Sequence, residues 1–234
     1  MRLSVKSLLL DYGGTIDTNG LHWGEVIWQA YSDNHVSVSR DKFREVYVQV
    51  ERMLGSQSLI LPNHTFKETL EIKIKLQFEA LGIIDDHLEN QIVNSCYKTV
   101  CFHTRNAASI LEQLKARYPM YLVSNFYGNL QTVLCEFGLT DYFQAVIESA
   151  EVGYRKPDLE IFRIAIEKTG NRPEEVVIIG DSYKNDIQPA TLLGCPSIWL
   201  KVKGWHDADE TIEHPCIIND FSALPPVIAR ASKK

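Results

Sequence analysis

The chain has 234 residues, 45% hydrophobic and 23% charged, which is the balance of an ordinary globular protein with length for a full core and an insertion. Its formal net charge of −6 argues against a nucleic-acid or anionic-membrane surface, since either needs a basic face. The five scattered cysteines, Cys96, Cys101, Cys135, Cys195 and Cys216, are odd in number; they speak against a disulfide framework and for a reducing cytoplasm.

The opening MRLSVKSLLLDYGG is basic and then apolar, but its apolar run is too short for a signal-peptide core. No stretch reaches the ~18 apolar residues that span a bilayer. VKSLLLD (5–11) reads as the first strand. From about 18 to 100 every periodic segment is helical: HWGEVIWQAYSDN, SRDKFREVYVQVERMLG, TFKETLEIKIKLQFEALG and DDHLENQIVNSCYKTV. Ser39 and Thr65 suit N-caps there, and Gly82 suits a stop. Trp23, Trp28, Tyr31, Phe43 and Tyr47 are spaced as the core of this helical insertion. CYKTVCFH (96–103) lacks metal-ligand spacing and reads as a helix end followed by a linker. After it, helical patterns alternate with strands at 120–125, 144–149, 175–181, 197–200 and 216–220. The central runs are apolar at nearly every position, as strands buried on both faces of a parallel sheet must be. GWHDADETIEHP (204–215) reads as a surface loop with an acidic turn at 206–210. The fold class is therefore α/β: a Rossmann-like, doubly wound parallel sheet carrying an all-helical insertion.

In an open parallel sheet, ligands bind outside the carboxyl ends of the strands. The residues placed there are Asp11, then Ser124 and Asn125, then Lys156 after a loop, then Asp181 followed by Asp186. An acid, a hydroxyl, a cation and another acid meet at one rim. Each has a plain structural alternative, such as a turn aspartate at Asp11 or a helix cap at Ser124; as a set they point to chemistry.

Four segments, DYGGT (11–15), VSN (123–125), YRKPD (154–158) and GDSYKND (180–186), resemble the motifs of the haloacid dehalogenase-like hydrolase superfamily, in order and over nearly the whole chain. The resemblance implies a catalytic core at 1–17 and 101–234 and a helical cap at 18–100 that closes on hinges near 16–21 and 99–105. It implies that Asp11 is a nucleophile attacking phosphorus, that Ser124, Asn125 and Lys156 hold the phosphoryl group, and that Pro157 opens the next helix. It also implies Mg²⁺ bound by Asp11, the Gly13 carbonyl and Asp181, with Asp186 behind them or as a further ligand. Charge supports the cation independently: three carboxylates face one lysine, and the formal excess of two negative charges would repel a phosphate dianion. The implied partner is a small phosphorylated molecule, with no nucleic acid and no membrane.

One position departs from the family. Its phosphatases carry a second aspartate two residues after the nucleophile, to protonate the leaving group and later activate water; here that residue is Gly13. Losing a general acid costs roughly 10²- to 10⁴-fold in rate. Three readings follow. The 2-haloacid dehalogenase branch has tyrosine at this position and no acidic fourth motif, whereas here Tyr12 is one place early and GDSYKND is intact. The phosphonoacetaldehyde hydrolase branch needs an imine-forming lysine, for which Lys42, Lys67, Lys73, Lys75 and Lys98 are available. The third, preferred here, is a Mg²⁺-dependent phosphohydrolase that takes good leaving groups or draws its acid from elsewhere, with His22 as a candidate. Asp17 reads as a turn or hinge residue. A binder of phosphorylated ligands without turnover stands as the reading from another class.

Overall fold

The computed structural model describes residues 4–202, 205 and 211–233. The acidic turn expected at 206–210 therefore lies outside the described residues. Six parallel strands, β1 (Ser7–Leu10), β2 (Met120–Ser124), β3 (Ala145–Glu148), β4 (Val176–Gly180), β5 (Ser197–Leu200) and β6 (Ile217–Ile218), lie in the order β3-β2-β1-β4-β5-β6. This is the doubly wound Rossmann-like order, in which the sheet reverses direction of growth between β1 and β4. Leu10 is level with Leu122 on one side and Ile179 on the other, so the first residue beyond β1 emerges at that reversal.

Alternation along β1 sorts its side chains. Leu8 and Leu10 join one apolar cluster, with Leu122 and Ile179; Leu9 joins the other, with Val123, Ile178, Phe162 and Ala165. Successive strand residues point to opposite faces, so a continuous apolar run buries both.

Four helices follow β1: α1 (Trp23–Asp33), α2 (Arg40–Ser56), α3 (Phe66–Leu81) and α4 (Asp86–Lys115). Ser39 caps α2 by accepting from the Lys42 N–H, and Thr65 forms a capping box with Glu68 on α3. Gly82 ends α3 in the left-handed region at φ 68°, where a residue without Cβ is favoured. Tyr31, Phe43, Ile74 and Phe78 of these helices belong to the same apolar cluster as Leu8 and Leu10. Helices and sheet thus share one core.

The helix end and linker expected within 96–103 are not there. α4 runs unbroken from Asp86 to Lys115, with Cys96, Val100, Thr104, Ala107, Leu111 and Leu114 buried along one stripe. The segment TVCFHTRNAAS contains no glycine or proline to stop a helix, and its buried positions keep the helical period. Its weak helix formers suggested an end; packing overrode them. The hinge expected near 99–105 is therefore helix.

Beyond β2 come α5 (Leu130–Glu136) and, after β3, the single turn α6 (Ser149–Val152). α7 (Leu159–Thr169), α8 (Gln188–Leu193) and α9 (Leu224–Lys233) complete the layers. The start of α3 is tied to the α5 region by hydrogen bonds. Phe66 N–H donates to Glu136 at 2.5 Å, Asn129 Nδ2 donates to His64 O at 2.9 Å, and Thr132 Oγ1 donates to Pro62 O at 2.6 Å.

Candidate active site

The rim is built from the turns that follow β1, β2 and β4. Asp11 continues the ladder, its N–H donating to Ile179 O at 2.9 Å, so the carboxyl leaves the sheet at the reversal point. The chain then turns tightly, with Ile16 N–H donating to Tyr12 O at 2.8 Å. Gly14 sits at φ 92°, and a Cβ there would lie 2.5 Å from Asp181 Oδ2; both conformation and space demand glycine. Gly13 is the opposite case: a Cβ built on it meets nothing within 4 Å. The position without an acid is open, able to hold a side chain.

Lys156 joins two of the motifs. Its buried Nζ lies 2.5 Å from Asp11 Oδ1 and 2.7 Å from Asp186 Oδ1. The lysine is aimed by Asn125, whose Nδ2 donates to Lys156 O at 3.0 Å and whose Oδ1 accepts from Lys156 N–H at 2.8 Å. Pro157 does not open the helix, as the sequence suggested. It follows a cis Lys156–Pro157 peptide and precedes Asp158, which caps α7 by accepting from Glu160 N–H. On the other side of β1, a π-turn over Tyr183–Ile187 brings Asp186 under the sheet edge, where its Oδ2 accepts from Ser182 N–H at 3.1 Å. A Cβ on Gly180 would lie 2.4 Å from Asp186 Cγ, so glycine ends β4 for lack of room. Thr15 Oγ1 lies 3.1 Å from Asp11 Oδ2 and 3.2 Å from Asp181 Oδ1, between the two carboxylates.

Asp11, Asp181 and Asp186 each offer an oxygen, all within 4.8 Å of one another. Burial alone would lower the Lys156 ammonium, but Asp11 and Asp186 together carry it above the ordinary lysine value. Burial raises the Asp186 carboxyl to about 6 against the opposing pull of Lys156. Burial also drives Asp181 well above the carboxylate range, with the charges of Asp11 and Asp186 adding to it. Three carboxyls crowd one ammonium, and the Asp181 carboxyl accepts only from the Thr15 hydroxyl among its described hydrogen bonds. A hard divalent cation on oxygen ligands fits this donor set and would relieve the repulsion.

A cavity of about 470 Å³ opens on these groups, and Asp11, Gly13, Ser124, Lys156 and Asp181 line it. The lining also includes residues the sequence reading missed: Lys201 and Asn219 just beyond β5 and β6, with Trp199 and Trp205. The strand-end rule that found Asp11 reaches Lys201 and Asn219 when applied to the last two strands. Of the helical insertion, His22 and Gly20 line the cavity. The His22 ring stacks on Trp205 at 5.0 Å and caps α1, its Nδ1 accepting from Gly24 N–H at 3.0 Å. That bond requires an unprotonated Nδ1, so the neutral ring carries its proton on Nε2.

The remaining residues singled out from sequence lie elsewhere. Lys73 is buried, 2.6 Å from Glu51, and held as a cation above the usual lysine value: burial opposes the charge, but Glu51 and Tyr127 outweigh it. An imine-forming amine needs the reverse. Lys42, Lys67, Lys75 and Lys98 are exposed. Asp17 is fully buried, its oxygens accepting from Gly14 N–H at 2.7 Å and Trp23 Nε1–H at 2.9 Å. Tyr12 is buried against Phe126, with ring centroids 5.8 Å apart.

An acidic rim at the sheet reversal, a buried lysine and helices inserted after the first strand define a class. The chain belongs to the haloacid dehalogenase-like hydrolases, whose family model matches residues 5–194. It is 35% identical over 129 residues to the glyceraldehyde 3-phosphate phosphatase of Methanothermobacter thermautotrophicus, covering 53% of this chain and 57% of that one. The chain spans about half the length of the curated relatives it matches. Among solved structures it is similar to a dehalogenase with an intermediate complex, at TM-score 0.67 and 18% identity, over 96% of this chain and 97% of that one. It is also similar to magnesium-bound YfnB from Bacillus subtilis, at TM-score 0.58 and 18% identity, over 96% and 98%. Among the described residues no helix is long and apolar enough to cross a membrane.

Proposed function

We propose that this chain is a Mg²⁺-dependent phosphohydrolase acting on a small phosphorylated substrate through an aspartyl-phosphate at Asp11. The observation that carries the reading is Asp11 at the sheet reversal, ion-paired to buried Lys156 and within reach of Asp181. In this reading Lys156 and Ser124 hold the phosphoryl oxygens, and Asn125 acts by fixing the Lys156 backbone. Asp11, the Gly13 carbonyl and Asp181 hold the cation, and Asp186 steadies Lys156. The cation supplies charge neutralisation and draws the nucleophile and the transferred group together. Residues 18–100 are in this reading the cap over a core of 1–17 and 101–234, with α4 continuous across the boundary. The phosphatase names among the relatives and magnesium in YfnB support the same reading.

Gly13 narrows the substrate. With no acid there, leaving groups that depart without a proton, such as acyl, aryl and anhydride phosphates, are favoured over alkyl esters. The test is phosphate release from a panel of both kinds, with Mg²⁺ or with chelator, in wild type, Asp11→Asn and Gly13→Asp. Release should need Mg²⁺, vanish in Asp11→Asn, and extend to alkyl esters in Gly13→Asp. Release that survives Asp11→Asn refutes the mechanism, and halide release from 2-haloacids in its place would make the chain a dehalogenase.

A further inference from the structure

A hydrolase that works through a covalent intermediate needs two proton arrangements: one for the leaving group and one for the water that ends the cycle. Among the described residues, the cavity supplies groups for attack on phosphorus but none for deprotonating water. Resting on the reading above, we propose that the aspartyl-phosphate of this chain forms fast from acyl phosphates and breaks down slowly, so that Asp11 stands phosphorylated during turnover.

In the first step an Asp11 oxygen bonds to phosphorus as the bond from phosphorus to the acyl oxygen breaks. The electron pair leaves with the acyl carboxylate, which needs no proton. In the second step water oxygen bonds to phosphorus, the bond to Asp11 breaks, and its electron pair returns to the Asp11 carboxylate. That water must lose a proton, and the proton needs an acceptor.

The lining offers none among the described residues. Asp186 is ion-paired to Lys156 at 2.7 Å and accepts from Ser182 N–H. Asp181 is itself a ligand of the cation in this reading, with Thr15 on its Oδ1. The His22 Nδ1 is engaged by Gly24 N–H, which leaves Nε2 as a donor. Lys201 already donates to Ile212 O at 3.0 Å, and an ammonium accepts nothing. Asp17, the nearest further carboxyl in sequence, is absent from the lining and has both oxygens bonded to N–H donors. The one vacant place is above Gly13, where nothing lies within 4 Å of a built Cβ. Among the described residues, attack is provided for and water activation is not.

The test is acetyl phosphate with Mg²⁺, quenched cold in acid at steady state and read by intact mass, beside phosphate release in the same samples. Most wild-type chains should carry one phosphoryl group, Asp11→Asn none, and Gly13→Asp little, with its release rate raised roughly 10²-fold or more by the restored base. Steady release with no adduct on the wild type overturns this proposal and leaves the phosphohydrolase standing. An adduct equally abundant in Gly13→Asp also overturns it, because the glycine then decides nothing. The absence of both adduct and release overturns the underlying reading of the site itself.

Discussion

Among the described residues two lysines are buried, one among the helices and one at the sheet rim, and their counter-charges differ. Lys73 of α3 lies 2.6 Å from Glu51 of α2 and donates to the Tyr127 hydroxyl at 3.0 Å, which in turn donates to Glu51 at 2.7 Å. One ammonium meets one carboxylate, and the charge closes on itself. Lys156 meets Asp11 and Asp186 directly, with Asp181 close to both. There the charge does not close, and a surplus of negative groups is left. Burial and ion pairing are common to both; the imbalance is what separates a place built for chemistry from one built for packing.

The comparison can be broken at its strongest point first. Lys156→Met leaves Asp11 and Asp186 buried with no opposite charge, and removing one partner of such a pair costs about 3–5 kcal/mol. Urea denaturation at pH 8 in chelator measures it, and a loss under 1 kcal/mol would mean that the lysine is not the rim's counter-charge. Saturating Mg²⁺ at 100 times its Kd should stabilise the wild type by about 2.7 kcal/mol, and Asp181→Asn should remove most of that gain. Equal gains in both proteins would place the cation elsewhere. Lys73→Met should cost about 1–3 kcal/mol, since the Glu51 side chain is 27% exposed and can turn to water. Its response to Mg²⁺ should match the wild type, for no surplus charge lies there.

The rim was the more legible of the two regions. Asp11, Ser124, Asp181 and the lysine before Pro157 follow apolar runs that announce strands, and one rule about strand ends collects them. The helical side resisted for a different reason. Lys73 and Glu51 sit on separate helices, and nothing local to either distinguishes them from the exposed Lys67 or Lys75. Their meeting with Tyr127, which follows β2, is decided by how α2 and α3 lie on the sheet. The unbroken α4 was hidden by poor helix formers at 99–106, whose helicity comes from the burial of Val100, Thr104 and Ala107. His22 was placed at the mouth of the site by its position after the first motif, yet its role as the cap of α1 depends on a ring nitrogen's bond to Gly24 that no spacing reveals.

Asp17 tests the boundary between the two regions, since it binds Gly14 of the rim turn and Trp23 of α1 at once. Burial raises its carboxyl to about 7, against the hydrogen bonds from Gly14 and Trp23. Unfolded, the group ionises near 4. Between those values the folded chain holds a proton that the unfolded chain has released, so stability falls as pH rises from about 4 to about 7 and levels off above. Asp17→Asn cannot titrate, and its amide must set a donor against either Gly14 N–H or Trp23 Nε1–H. At pH 5 the variant should therefore be less stable than the wild type by about 1–2 kcal/mol, one hydrogen bond's worth. Toward pH 8 the wild type alone bears the penalty of a buried carboxylate, and the gap should close or reverse. Denaturation in chelator at the two pH values measures it. A gap that stays constant from pH 5 to pH 8 would mean that Asp17 is ionised at pH 5 already, held by its two donors as firmly as a surface acid is by water.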